Sequence, residues 1–239
     1  MRNWILCGFI FLLAETAFSQ EFIETHINKV DLQGRRQGFW RVYDGDGNLK
    51  FTGEYANGKP MGEFIYYFPD GRTRAIVNQV DSGRVTYMKN FHSNGRLMAQ
   101  GKYVNQQKDS TWLYYNTEDG SLSAEEHYIS HSREGVWKTF YPDGGVAEEI
   151  TYANDLKNGP WIQYFTDGKI KMKANYKDDQ LEGLYVVYHL KGGVEVSGTY
   201  LHGNKHGSWV YLNERGELEV REEYVEGKLV SRVDNTEQK

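Results

Sequence analysis

The chain's seven histidines and its paired glutamates are the residues best suited to chemistry. His127/His131 and His202/His206 stand four apart, a spacing that brings two imidazoles to one metal ion when it lies on a helix. Asp44-Gly45-Asp46-Gly47-Asn48 offers the alternating oxygens of a calcium loop. Such a loop needs glycine at its sixth position and glutamate at its twelfth; counted from Asp44, these are Leu49 and Tyr55. Glu125-Glu126, Glu148-Glu149 and Glu222-Glu223 resemble the two acids of glycoside hydrolysis, but their recurrence in different units reads as a repeating exposed edge. There is no Gly-x-Ser-x-Gly elbow and no phosphate loop. On these residues the chain is expected to carry no catalytic set, no metal site and no cofactor.

The element that would have to position any of these groups is a short repeat. Turn glycines fall at Gly47, Gly71, Gly95, Gly120, Gly144, Gly168, Gly192 and Gly216, 24 residues apart except for one interval of 25. Seven residues before them stand Trp40, Phe64, Met88, Trp137, Trp161, Tyr185 and Trp209. Trp112 takes this place in the fourth unit one residue early, which locates an inserted residue between Trp112 and Gly120. Eight residues after the glycines stand Tyr55, Gln79, Tyr103, Tyr128, Tyr152, Tyr176, Tyr200 and Tyr224. A period this short makes each unit one supersecondary piece that buries its apolar face only against its neighbours.

Within a unit the pattern is that of a β-hairpin. Asp-Gly recurs at the turn (Asp46, Asp70, Asp119, Asp143, Asp167) and predicts a two-residue type I′ turn. That turn would set Phe165 opposite Ile170, Gln163 opposite Met172 and Trp161 opposite Ala174. Alternation then puts Trp161, Phe165, Ile170, Met172, Ala174 and Tyr176 on one face, with Ile162, Tyr164, Lys171, Lys173 and Asn175 on the other. The position two after the turn glycine is Leu49, Thr73, Leu97, Leu122, Val146, Ile170, Val194 and Leu218, so the tryptophan side is expected to be the better buried. The predicted fold is all-β: an elongated, twisted antiparallel meander of about eight tandem hairpin repeats over 33–229. The third unit departs from the pattern, with Thr86 for the leading glycine, Met88 for tryptophan and Gln79 for tyrosine. Its hairpin signals fade over Val77 to Met88, which reads as drift in a tolerant array or as a kink or partner-contact site.

The ends and the composition narrow the setting. Residues 1–19 read as a secretory signal: Arg2, an apolar run from Trp4 to Leu13, and Ala17-Phe18-Ser19 before a cut that leaves Gln20 first. Cys7, the one cysteine, lies inside that run behind Trp4-Ile5-Leu6, where a lipid-anchor signal carries small residues. The mature chain is then expected to lack thiols, disulfides and thiolate metal sites, in an exported, periplasmic, outer-envelope or secreted location. Residues 20–32 read as an N-terminal capping segment and 230–239 as a disordered tail. A net charge of −5 and a pI near 5.8 argue against nucleic-acid binding and weigh against an anionic lipid surface.

Gly38-Phe39-Trp40-Arg41-Val42-Tyr43, Gly135-Val136-Trp137-Lys138-Thr139-Phe140, Gly207-Ser208-Trp209 and the loop Asn57-Gly58-Lys59 resemble the MORN-type repeat, in its bacterial 24-residue variant. That variant occurs in exported repeat proteins and in proteins labelled YwqK-like antitoxins. The resemblance covers roughly 33–229 and implies the hairpin array. It also implies an interaction surface: a scaffold for a protein partner, an antitoxin or immunity protein that binds a cognate toxin, or a lipid-surface module. Three residues after the tryptophan position runs a further row, Tyr43, Tyr67, Phe91, Tyr115, Phe140, Tyr164 and Tyr188, ending at Leu212. Alternation places it on the face away from the tryptophans. It fits either partner binding, where aromatics give large contact area at low entropic cost, or cross-strand packing that stiffens the ribbon. It is the expected partner-binding surface.

Overall fold

A computed structural model describes residues 27–235. The expected signal peptide at 1–19 and the last four residues lie outside these. The chain divides into two compact units, one ending at Arg96 and the other beginning at Leu97. In the first, β1 (Lys29–Val30), β2 (Arg36–Tyr43), β3 (Leu49–Ala56), β4 (Lys59–Tyr67), β5 (Thr73–Val80) and β6 (Val85–Phe91) follow one another as an antiparallel meander.

The second unit repeats the plan. It runs β7 (Leu97–Val104), β8 (Gln107–Tyr115), β9 (Leu122–Ile129), β10 (Ser132–Arg133), β11 (Gly135–Phe140), β12 (Val146–Ala153), β13 (Leu156–Tyr164) and β14 (Ile170–Lys177). It continues through β15 (Gln180–Leu181), β16 (Gly183–Tyr188), β17 (Val194–Leu201), β18 (Asn204–Leu212), β19 (Leu218–Val225) and β20 (Lys228–Asp234), again antiparallel throughout. The fold is all-β and made of tandem hairpins. The stretch from 230, expected as a disordered tail, instead continues β20 to Asp234, because β19 offers it a ladder.

The turn differs from the expected type I′. Phe165 N–H donates to the Lys169 carbonyl at 2.8 Å and Gly168 N–H to the Phe165 carbonyl at 2.9 Å, so the loop has three residues. Gly168 has φ +80° whereas Asp167 stays out of the left-handed region, which matches a type I turn closed by a glycine bulge. Trp161 does face Ala174 and Gln163 faces Met172, but the bulge sets Tyr164, not Phe165, opposite Ile170. Aspartate suits the turn for its carboxylate: Asp167 Oδ1 accepts the Lys169 N–H at 3.1 Å, as Asp70 Oδ1 does from Arg72 at 3.0 Å.

The tryptophan face is the buried one. Phe64, Ala75 and Val77 form the core of the first unit, with Phe51, Tyr55, Tyr66 and Met88 against them. In the second unit Trp112 and Trp209 are 2% and 1% exposed. These rings lie on the preceding strand where it has no side chain. A Cβ at Gly53 would sit 2.3 Å from Phe64, one at Gly101 2.2 Å from Trp112, and one at Gly198 2.1 Å from Trp209.

The third repeat keeps its hairpin pairing and loses a bulge. Between β3 and β4 the register slips from Thr52↔Ile65 to Glu54↔Met61 around Gly62 at φ +65°. Thr86 stands in the place of Gly62, and a β-branched residue resists that conformation. β5 and β6 therefore pair without a slip from Ala75↔Asn90 to Val80↔Val85. The two residues that the bulge would take up pass into the connection, which lengthens from Asn57-Gly58 to a 3-10 turn at Asp81–Gly83 and Arg84.

Candidate functional site

The aromatic row stands at the last residue of β2, β4, β6, β8, β11, β13 and β16, and the bulge pairs it with the position two after the turn glycine, as Tyr164 with Ile170. Tyr43 is 54% exposed; Tyr67, Phe91, Tyr115, Phe140, Tyr164 and Tyr188 are half-buried. Three of the hydroxyls are tied to the previous hairpin at one repeat position. Tyr67 OH lies 3.3 Å from Thr52 Oγ1, Gln100 Nε2 donates to Tyr115 OH at 3.0 Å, and Tyr164 OH donates to Glu149 Oε2 at 2.9 Å. Three tips of the row thus cross-link neighbouring strands, and burial together with the Glu149 carboxylate raises the Tyr164 pKa.

The acid pairs are split by strand alternation. Glu126 and Glu222 lie opposite Trp112 and Trp209 on the tryptophan face, and Glu149 faces Tyr164 on the other. No pair converges on one site, and the expected exposed edge is wrong: Glu222 is buried and the others are half-buried. The histidine spacing likewise gathers no metal site. His127 bonds Thr111 Oγ1 at 3.1 Å and Glu125 at 2.9 Å, while His131 lies in a turn. Among the described residues no group of three or more His, Cys, Asp or Glu could hold a metal ion. At the calcium-like loop, Asp44 Oδ1 accepts the Asn48 N–H at 2.9 Å and the Asp46 N–H at 3.0 Å. The Asn48 bonds hold the Asp44 pKa below its ordinary value, so the carboxylate is committed to its own turn.

A second arrangement is invisible in the repeat alignment until faces are known. Four residues before each repeat tryptophan stands a base: Arg36, Lys108, Arg133, Lys157 and Lys205. Where the ring is Phe64 or Tyr185, the place holds Pro60 or Leu181. Lys108 Nζ lies 4.9 Å from the Trp112 ring and 4.8 Å from the Tyr128 ring. Lys205 Nζ lies 4.2 Å from Trp209 and 4.8 Å from Tyr224. Arg36 lies 4.7 Å from Trp40, Arg133 4.6 Å from Tyr152 and Lys157 4.9 Å from Tyr176. These are cation–π distances.

Behind two of these cages sits a carboxylate. Glu126 Oε2 accepts from Tyr114 OH at 2.8 Å and Tyr128 OH at 2.9 Å, with Lys108 Nζ at 3.3 Å. Glu222 Oε2 accepts from Tyr211 and Tyr224, each at 2.9 Å, and its Oε1 from Arg232 at 2.8 Å. Burial opposes the charge on Glu222, but the two phenols, Lys205 and Arg232 outweigh it and lower the pKa. Burial and the Glu222 carboxylate push Tyr211 up to about 12, and burial and the Glu126 carboxylate raise Tyr114 and Tyr128.

Comparison with known proteins agrees with the repeat. Residues 133–154 and 157–178 match the MORN repeat variant. No curated protein matches the chain. Among solved structures, a crystal structure of TcdB2-TccC3 aligns at 10% identity and a TM-score of 0.22 over 82% of this chain and 14% of that one. A crystal structure of TcdB2-TccC3-TEV aligns at 11% identity and a TM-score of 0.21 over 82% of this chain and 11% of that one. The chain thus spans a small part of either, and at these scores the likeness says nothing of fold or function.

Proposed function

We infer that this chain, a protein of MORN-type repeats, is a non-enzymatic exported scaffold of the bacterial envelope that binds a protein partner along the sheet face opposite its tryptophans. The observation that carries this reading is the aromatic row from Tyr43 to Tyr188. One repeat position is held aromatic from unit to unit, and no member of the row is fully buried. Rigid rings already fixed by bonds to Thr52, Gln100 and Glu149 lose little entropy when a partner covers them. Export rests on residues 1–19, and processing after Ser19 is read by N-terminal sequencing of protein from the envelope fraction.

The face is tested by affinity capture from that fraction with the wild-type chain and two triple variants. In one, Tyr67, Tyr115 and Tyr164 become alanine; in the other, phenylalanine. The expected outcome is a saturable partner that the phenylalanine variant retains and the alanine variant binds at least about tenfold more weakly. An alanine variant with an unchanged circular dichroism spectrum and undiminished capture would refute this choice of face.

A further inference from the structure

At mid-strand one row of side chains crosses the face opposite the tryptophans, each residue paired in register with the next. Over β9 to β12 its charges are matched within the chain. Lys138 stands between Glu125 and Glu149, its ammonium 3.4 Å from Glu149, and Glu125 contacts His127 at 2.9 Å. From β13 to β19 the row runs Ile162, Lys173, Val186, Ser197, Val210 and Arg221. The position of Lys138 has become Ile162, Val186 and Val210; that of Glu149 has become Lys173, Ser197 and Arg221.

Lys173 and Arg221 are exposed and form no ion pair among the described residues. A shortage of acids does not explain this, since residues 97–235 hold 22 Asp and Glu against 15 Lys and Arg. Between the two bases Val186 is buried and Val210 half-buried. Beside them on the same face Leu184 is 63% exposed and Leu201 41%. Tyr164 and Tyr188 of the aromatic row lie two residues from Ile162 and Val186, toward the turns. The strip is therefore apolar with two unmatched cations in it.

We propose that this strip docks an acidic amphipathic α-helix of the protein partner, laid across the strands. Its carboxylates would meet Lys173 and Arg221, and its apolar side would cover Leu184, Leu201 and the aliphatic floor. The inference rests on the reading of this face as the partner surface and names the element that the partner brings. The spacing suits a helix. Aliphatic positions recur every second strand, about 9.6 Å apart, and a helix advances about 10.5 Å per heptad. The two bases stand four strands apart, about 19 Å, against about 21 Å for two heptads. A midline row also suits a straight helix, because twist turns the strand ends about it. The surplus of carboxylates elsewhere on the unit repels an acidic helix, so the two bases fix its register.

The test titrates the full chain into fluorescein-labelled amphipathic peptides of about 21 residues and reads anisotropy. All carry leucine along the apolar side; the flank beside it carries glutamate in one, glutamine in the second and lysine in the third. The glutamate peptide should bind saturably and weaken as salt rises, the glutamine peptide should bind about tenfold more weakly, and the lysine peptide should not bind. Lys173→Gln with Arg221→Gln should weaken the glutamate peptide by about tenfold. Lys173→Glu with Arg221→Glu should reverse the order and take the lysine peptide. No binding of the glutamate peptide, equal binding of all three, or an unchanged order in the reversed variant would overturn the proposal. Tyrosine-dependent partner capture with no binding of the glutamate peptide would overturn the helix alone. Undiminished capture by the triple alanine variant would overturn the face and this inference with it.

Discussion

Trp209 lies flat against Gly198, so close that a Cβ on the glycine would meet Trp209 Cδ2 at 2.1 Å. The indole is rigid and 1% exposed, and it has nowhere to retreat. Gly198→Ala should therefore lower stability by about 1–3 kcal/mol through overpacking, read as a fall in the urea midpoint. Gly101→Ala, under Trp112, should behave alike. An unchanged midpoint would mean the ring moves freely.

The Lys205–Glu222 cage should act as one unit. Glu222→Gln leaves Lys205 and Arg232 without their carboxylate and should cost about 1–3 kcal/mol. Lys205→Met keeps the stem over Trp209 and loses the charge. A double-mutant cycle should return a coupling of about 0.5–2 kcal/mol, and strict additivity would contradict the geometry.

Stability should fall on both sides of neutrality. The folded-state pKa of Glu222 is depressed below its ordinary value of 4.5, so its contribution is present above that value and is lost as pH falls through the lower, folded one. The Tyr211 phenol is raised from 10.0 to about 12; its contribution is complete below pH 10 and disappears as pH rises toward about 12. Urea midpoints across pH should show both limbs. Glu222→Gln should flatten the acid limb and Tyr211→Phe the alkaline one.

Gly62 and Thr86, at equivalent repeat positions, should respond unequally when each is changed to the other's residue. Gly62→Thr forces a β-branched residue to φ +65° and should destabilise by more than about 1 kcal/mol. Thr86→Gly relieves no strain and should cost about 0.5–1 kcal/mol by weakening a regular strand. Similar losses from both would show that the slipped register is not set by this residue.

The period, the hairpins and the buried face could all be read from spacing, because turn glycine, alternation and ring position repeat in step. The loop length could not. Asp167-Gly168 serves a two-residue turn and a three-residue loop alike, since both need positive φ at the glycine, and only the Phe165–Lys169 pair tells them apart. The bases before the tryptophans were in plain sight at a spacing of four, yet Lys108 and Lys205 gain meaning only when strand register sets Tyr128 and Tyr224 beside them. Glu126 and Glu222 were hidden for a related reason: beside Glu125 and Glu223 they look like doublets, and alternation sends the two members to opposite faces. Nothing in the spacing set Glu148 against Trp161, since the other described indoles bond main-chain carbonyls.

Every residue of β20 is exposed, and β19 is the one strand it pairs with. Its departure would break a ladder of main-chain bonds and detach Arg232 from Glu222. What holds β20 is therefore main-chain pairing and one buried carboxylate, so its attachment to β19 should respond to the charge on Glu222.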